Sequence, residues 1–182
     1  MACDLSSGRV VGCKDGIGGI KAVFIGNYND MVNNATFADT AGVVSAIEAQ
    51  DFYQFDVRPE TSSLTINFQA NPQNGTTFFE QNLSLTFQKL DSTDIADIRV
   101  MCQGRPNVWV QTEDGAIILC GAEFGMNVTG GSVQTGTAMG DLTGYTIELQ
   151  GKEREVYYEA TAPTLGDANY PLDNVTGATV SA

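Results

Sequence analysis

Carboxylates are the groups this chain is best supplied with for chemistry, and their placement decides what that chemistry could be. Glu80, Glu148 and Asp56 each fall in a segment that reads as a β-strand. Two such groups about 5–9 Å apart could hydrolyse a glycosidic bond, but nothing in the spacing brings any two of them together. Asp91, Asp94 and Asp97 recur every third residue. That is not the ligand pattern of a calcium loop, and acids in the first turns of a helix complement its dipole. There is no histidine, which removes the usual general base, proton shuttle and commonest metal ligand. Ser-His-Asp and Cys-His catalysis within one chain go with it. Cys3, Cys13, Cys102 and Cys120 contain no C-x-x-C pair, so the zinc spacing is absent. Cys102 and Cys120 stand in apolar company and read as buried thiols. A Cys3–Cys13 bridge is compatible with the sequence and is not deducible from it. No catalytic residue, metal ligand or cofactor site is assigned.

Composition narrows the partners. The 182 residues are 42% apolar, enough for a single domain with its own core. Asp and Glu number 22 against 9 Lys and Arg, a net charge of −13. The basic residues are scattered, and Lys152 and Arg154 sit beside Glu153 and Glu155. Tight nucleic-acid binding needs a basic footprint, and this balance repels phosphates while favouring solubility. No segment has the length or apolarity of a membrane-spanning helix. The N-terminus lacks the basic-then-apolar layout of a signal peptide. We therefore expect no membrane anchor and synthesis inside a cell.

The elements that must position these groups are mostly strands. Thr76 to Leu90 reads as one long two-faced strand. Phe79, Leu83, Leu85 and Phe87 share one face, with Gln81 among them, while Glu80, Asn82, Ser84, Thr86 and Gln88 share the other. Fully extended it would span roughly 50 Å. Ser63 to Ala70 alternates in the same way, with Leu64, Ile66 and Phe68 on one side and Thr65, Asn67 and Gln69 on the other. The turn signal Asn71-Pro-Gln-Asn-Gly75 joins the two as a hairpin. Further strands are expected at Ile20–Tyr28, Val43–Ala49 and Phe52–Val57. A helix is expected over about 91–103, with an apolar stripe of Ile95, Ile98 and Met101 or Cys102. A hairpin turning at Glu113-Asp114-Gly115 follows. Gly125–Gly144 reads as a flexible glycine- and threonine-rich loop, and Tyr145–Gln150 as a strand with Val156–Glu159 as a candidate partner. Residues 1–17 and 161–182 read as extended N- and C-terminal arms around a core of 18–160. The fold class is mainly β, a β-sandwich or open barrel with long amphipathic hairpin strands and one flanking helix.

This order of pieces, with the wording FEQNLSLTFQKLD, VWVQTEDGAIILCG, VTGGSVQTGTAMGDLTGY and TIELQGKERE, resembles structural proteins of tailed bacteriophages, and among them the tail tube proteins. The resemblance covers roughly Phe52 to Glu155. It implies a homo-oligomer of hexameric rings stacked into a hollow tube, located in the virion tail and made in the host bacterial cytoplasm. Other virion tail proteins would be partners, and DNA would pass through without tight binding. Under that implication Glu80, Asn82, Ser84, Thr86, Gln88, Thr65, Asn67 and Gln69 are candidates to face the lumen. Thr129, Gly130, Gly131, Gln134, Thr135 and Asp141 are candidates for contacts between subunits or rings. Other phage roles share such a fold: terminator, neck ring or capsid decoration. A carbohydrate-binding module is the alternative from another class, and it needs Trp109, Tyr53 and Tyr145 to line an exposed groove.

Overall fold

Segments that are apolar at consecutive positions, such as IKAVFIG and NVWVQT, are stable as strands only with both faces covered, whereas alternating segments need one. The computed structural model places each kind accordingly; it describes Gly8 and residues 16–181 except 91, 162, 165, 166 and 168, with backbone alone for 92–94. The elements run β1 (Ile20–Gly26), β2 (Ala38–Thr40), β3 (Val43–Asp56), β4 (Ser63–Asn71), β5 (Thr76–Gln88), α1 (Ser92–Gln103), β6 (Asn107–Thr112), β7 (Ile117–Cys120), β8 (Met126–Gln134), β9 (Gly144–Glu153), β10 (Tyr158–Ala160) and β11 (Thr176–Ser181).

They form two sheets. The larger is ordered β1-β6-β7-β10-β3-β11, with β2 added along β3. Because β1 also pairs with β3, the strands β1, β6, β7, β10 and β3 close a circuit of pairings. Its interior is filled by Phe24, Phe52, Trp109 and Leu119, with Trp109 and Phe52 edge to face at 6.4 Å. The smaller sheet is β4-β5-β9-β8, antiparallel throughout. Leu83, Leu85, Ile147 and Leu149 on its inner face pack on Val23, Ile25, Val108 and Val110 from the other side of β1 and β6, forming a second core. Trp109 thus points into one core while its neighbours Val108 and Val110 serve the other. The whole is a β-sandwich-like fold, mainly β, in which one layer closes on itself.

Both expected hairpins form. β4 and β5 pair from Ser63 opposite Ser84 to Asn71 opposite Thr76, and β6 and β7 turn at Gly115, whose φ of 91° suits glycine. The expected helix is α1, but only part of its stripe turns inward. Met101 is buried and Ile98 partly so, whereas Ile95 is 61% exposed. Cys102, expected to be buried, is exposed; Cys120 is buried.

Four expectations need correction. The two short segments at 43–49 and 52–57 are one continuous strand, β3. Its period is blurred because its neighbours change along its length, β2 and β10 near Val43 and β1 and β11 near Phe52. The glycine-rich loop is in its first half a strand, β8. Glycine is used there for closeness: a Cβ on Gly131 would lie 2.7 Å from the Thr146 carbonyl oxygen of β9. The segment after β9 does not pair with it; β10 pairs with β7 and β3. The stretch read as a C-terminal arm returns to the body. β11 runs parallel to β3, and Leu172, Val175 and Ala178 are buried in the first core. Of the N-terminal arm, residues 1–7 and 9–15 lie outside the described residues.

The docked C-terminus makes a prediction. Leu172 is wholly buried, so Leu172→Ala should cost about 2–5 kcal/mol of unfolding free energy, read by urea denaturation. A free arm would give no change.

Candidate functional site

Antiparallel partners directly opposite each other share a sheet face, so the register of the smaller sheet determines which polar side chains meet. Asn67, Glu80 and Lys152 form one row across β4, β5 and β9. Thr65, Asn82, Gln150 and Asn127 form the next, reaching β8. Ser84 then stands opposite Glu148, and Thr86, Thr146 and Ser132 make a hydroxyl row. Gln69 and Gln88 extend the same alternation to the two ends. The eight residues nominated for the lumen therefore lie on one face, turned away from the second core.

Hydrogen bonds run across this face. Gln150 Nε2 donates to Asn82 Oδ1 at 3.0 Å, and the Ser132 and Thr146 hydroxyls are 2.6 Å apart. Lys152 Nζ lies 3.8 Å from Glu80 Oε1, and the lysine is largely exposed, so the pair contributes little stability. Its charged members are Glu80, Glu148 and Lys152. Sequence reading had not assigned Thr146, Glu148, Gln150, Lys152, Asn127 or Ser132 to it. The signal for the four on β9 was the alternation of YTIELQGKE, legible only once β9 is known to lie beside β5, and Asn127 and Ser132 needed the register of β8 as well.

The edges of this sheet are as informative as its face. Among the described residues β4 and β8 each have one partner strand. Exposed edges in monomeric proteins are usually blunted by charge, proline, a bulge or cover, and of these β8 has a bulge between Val128 and Gly130. Here residues 61–79 and 124–140, which contain the two edge strands, carry no charged side chain in a chain of net charge −13. Each edge also exposes an apolar group on the inner side of the sheet: Phe68 is 68% and Val133 66% exposed.

Of the residues nominated for subunit contacts, Thr129, Gly130, Gly131 and Gln134 belong to β8, with a bulge between Val128 and Gly130. Thr135 and Asp141 lie in the turn beyond it. Asp141 accepts from the Ala138 and Thr137 backbone N–H groups at 2.7 and 2.9 Å, which hold its carboxyl below the usual range. The Thr143 hydroxyl donates to the Thr135 carbonyl, so this turn has internal ties.

The other constellations do not assemble. Glu80 and Glu148 are two rows apart on the register, about 13 Å along the strands. Asp56 ends β3 in the other sheet, in a groove of about 780 Å³ shared with Asp97, Arg105 and Tyr53. Trp109 and Tyr145 are buried and only Tyr53 is exposed, so the three rings do not form a sugar platform. Among the described residues no group of three Cys, Asp or Glu side chains is placed to hold a metal ion. Among the same residues no helix is long and apolar enough to cross a membrane.

A second polar constellation, inside the protein, was missed in the sequence. The turn from β7 to β8 carries the chain from one sheet to the other and is held by side chains of both. Gln81 Oε1 accepts from the Gly121 N–H at 2.9 Å, and its Nε2 donates to the Val156 carbonyl at 3.1 Å. Asn107 Nδ2 donates to the Gly121 carbonyl. Glu153 accepts from the Phe124 N–H at 3.0 Å and the Glu123 N–H at 3.1 Å. Burial pushes the Glu153 carboxyl up to about 7 against the pull of those two N–H groups, and the charges of Glu123 and Asp30 push the same way. Burial, with Glu153 beside it, raises the Cys120 thiol to about 12, so it stays protonated. The one visible signal was Gln81, a polar residue on the apolar face of β5.

No family model matches the chain, and no curated protein matches it. Among solved structures it is similar to a chain from a virion of a native gene transfer agent (GTA) particle, at 10% identity and a TM-score of 0.38, over 59% of this chain and 89% of that one.

Gln81 gives a direct test of the internal network. Gln81→Leu leaves the buried Gly121 N–H without its acceptor and should cost about 1–3 kcal/mol by chemical denaturation. A neutral effect would show that the turn does not depend on it.

Proposed function

We propose that this chain is a virion structural protein, a tail tube subunit whose copies join through the edges of the smaller sheet into rings that stack as a hollow tube. The observation that carries the reading is the pair of edges without charged side chains on either side of a polar sheet face. Within one copy β4 and β8 point in opposite directions, since three successive pairings are antiparallel. The β8 edge of one copy set beside the β4 edge of the next therefore continues the antiparallel pattern. Such a contact is heterologous: it uses different surfaces on the two partners, and it closes into a ring when the rotation permits. Closure removes the exposed edges and buries Phe68 and Val133. The hexameric count comes from the resemblance of the sequence to tail tube proteins.

The polar face then lines the lumen. Its amides and hydroxyls keep the wall wet, and Glu80 and Glu148 repel DNA phosphates, so the genome passes without sticking. The hairpin tip at residues 71–75 and the turn bearing Thr135 and Asp141 are left for contacts between rings and with other tail proteins. The chain would be made in the host cytoplasm and reside in the virion tail.

Two variants test this. Phe68→Glu combined with Val133→Glu places like charges on both edges at exposed positions. Sedimentation velocity should show assembly lost while circular dichroism shows the fold kept, and unimpaired assembly would refute edge pairing. Glu80→Lys should leave rings intact but slow DNA ejection from particles that carry it. Ejection at the normal rate would show that this face does not line the channel.

A further inference from the structure

We propose that Glu153, Glu123 and the turn they share form a pH-responsive latch on the foot of strand β8. The turn is wound tightly. Gly121 and Gly125 have φ of 69° and 74°, and a Cβ on Gly125 would lie 2.7 Å from the Arg105 carbonyl oxygen. β8 starts directly after it, with the Met126 N–H donating to the Pro106 carbonyl at 2.9 Å. What closes the turn onto β9 is the Glu153 carboxyl, itself only 4% exposed, gripping the N–H groups of Glu123 and Phe124.

The groups facing that carboxyl come from several elements. Glu123, in the turn itself, is 6% exposed and is paired with the exposed Arg154 at 3.4 Å. Asp30, from the segment after β1, adds a second negative charge. Burial chiefly keeps Cys120 of β7 and Tyr158 of β10 protonated, with the charge of Glu153 adding to it at Cys120, and those of Glu155, Asp39 and then Glu153 at Tyr158. Ionising Glu153 therefore puts a negative charge in a buried space that already holds one and faces another.

The sign follows from linkage. Glu153 holds its proton up to about pH 7 in the folded protein, against an ordinary value of 4.5. The stability it contributes is complete below the ordinary value and is lost as pH rises through about 7. The latch is closed in mild acid and loosens in mild alkali, exposing the start of β8. This conclusion does not depend on the tube reading, and it is tested on the dilute chain, where assembly plays no part.

Amide hydrogen exchange, corrected for intrinsic rates, is the measurement. Protection of the Glu123 and Phe124 amides should fall about tenfold between pH 6 and pH 8, and these amides should exchange before those of Leu83 and Leu85. Glu153→Gln keeps an acceptor for the turn but does not titrate, so the fall should vanish. Glu123→Gln removes the neighbouring charge and should move the midpoint to lower pH, a readout that stands if Glu153→Gln does not fold. The same fall in Glu153→Gln, or exchange of Glu123 and Phe124 only together with Leu83, would overturn the proposal.

Discussion

Strands β1 and β6 are buried on both faces from Ala22 to Gly26 and from Asn107 to Gln111, and the rest of the fold is arranged around that constraint. Each alternates its side chains between two cores: Phe24 and Trp109 go to the closed circuit of the larger sheet, and Val23, Val108 and Val110 to the space beneath the smaller one. Burying large apolar side chains on both sides supplies the main driving force for holding the two layers together. It also fixes which face of the smaller sheet must turn outward. Leu83, Leu85, Ile147 and Leu149 are committed to the shared wall, so Glu80, Asn82, Glu148 and Gln150 are left on the opposite side by the two-residue period of a strand.

The chain crosses between the layers at the turn from β7 to β8, where its backbone groups cannot join either ladder. Buried N–H and C=O groups must find partners, and Gln81, Asn107 and Glu153 provide them. This explains a polar residue placed on an apolar strand face, and it ties the position of edge strand β8 to the interior. The same geometry makes that edge sensitive to one proton.

Legibility in the sequence followed local pattern. The β4–β5 hairpin and the β6–β7 hairpin were readable because alternation and turn residues lie within a few positions of each other. So was the polar face of β5, since a strand's period needs no knowledge of its partner. β8 was not readable, because Gly131 serves a close approach to the Thr146 carbonyl that only the fold reveals. The C-terminal segment was not readable either: Leu172, Val175 and Ala178 are spaced among proline, glycine and polar residues and gain meaning only from the core they complete. Cys102 and Ile95 were misjudged because, among its described side chains, α1 turns only Ile98 and Met101 inward. The contribution of β9 to the polar face required the register with β5.

The central claim is that the smaller sheet continues from copy to copy through its β4 and β8 edges. Electron microscopy of the purified chain at high concentration tests it most directly. The account predicts rings with an open centre that stack into tubes. Isolated single copies at every concentration, with no rings, would contradict it.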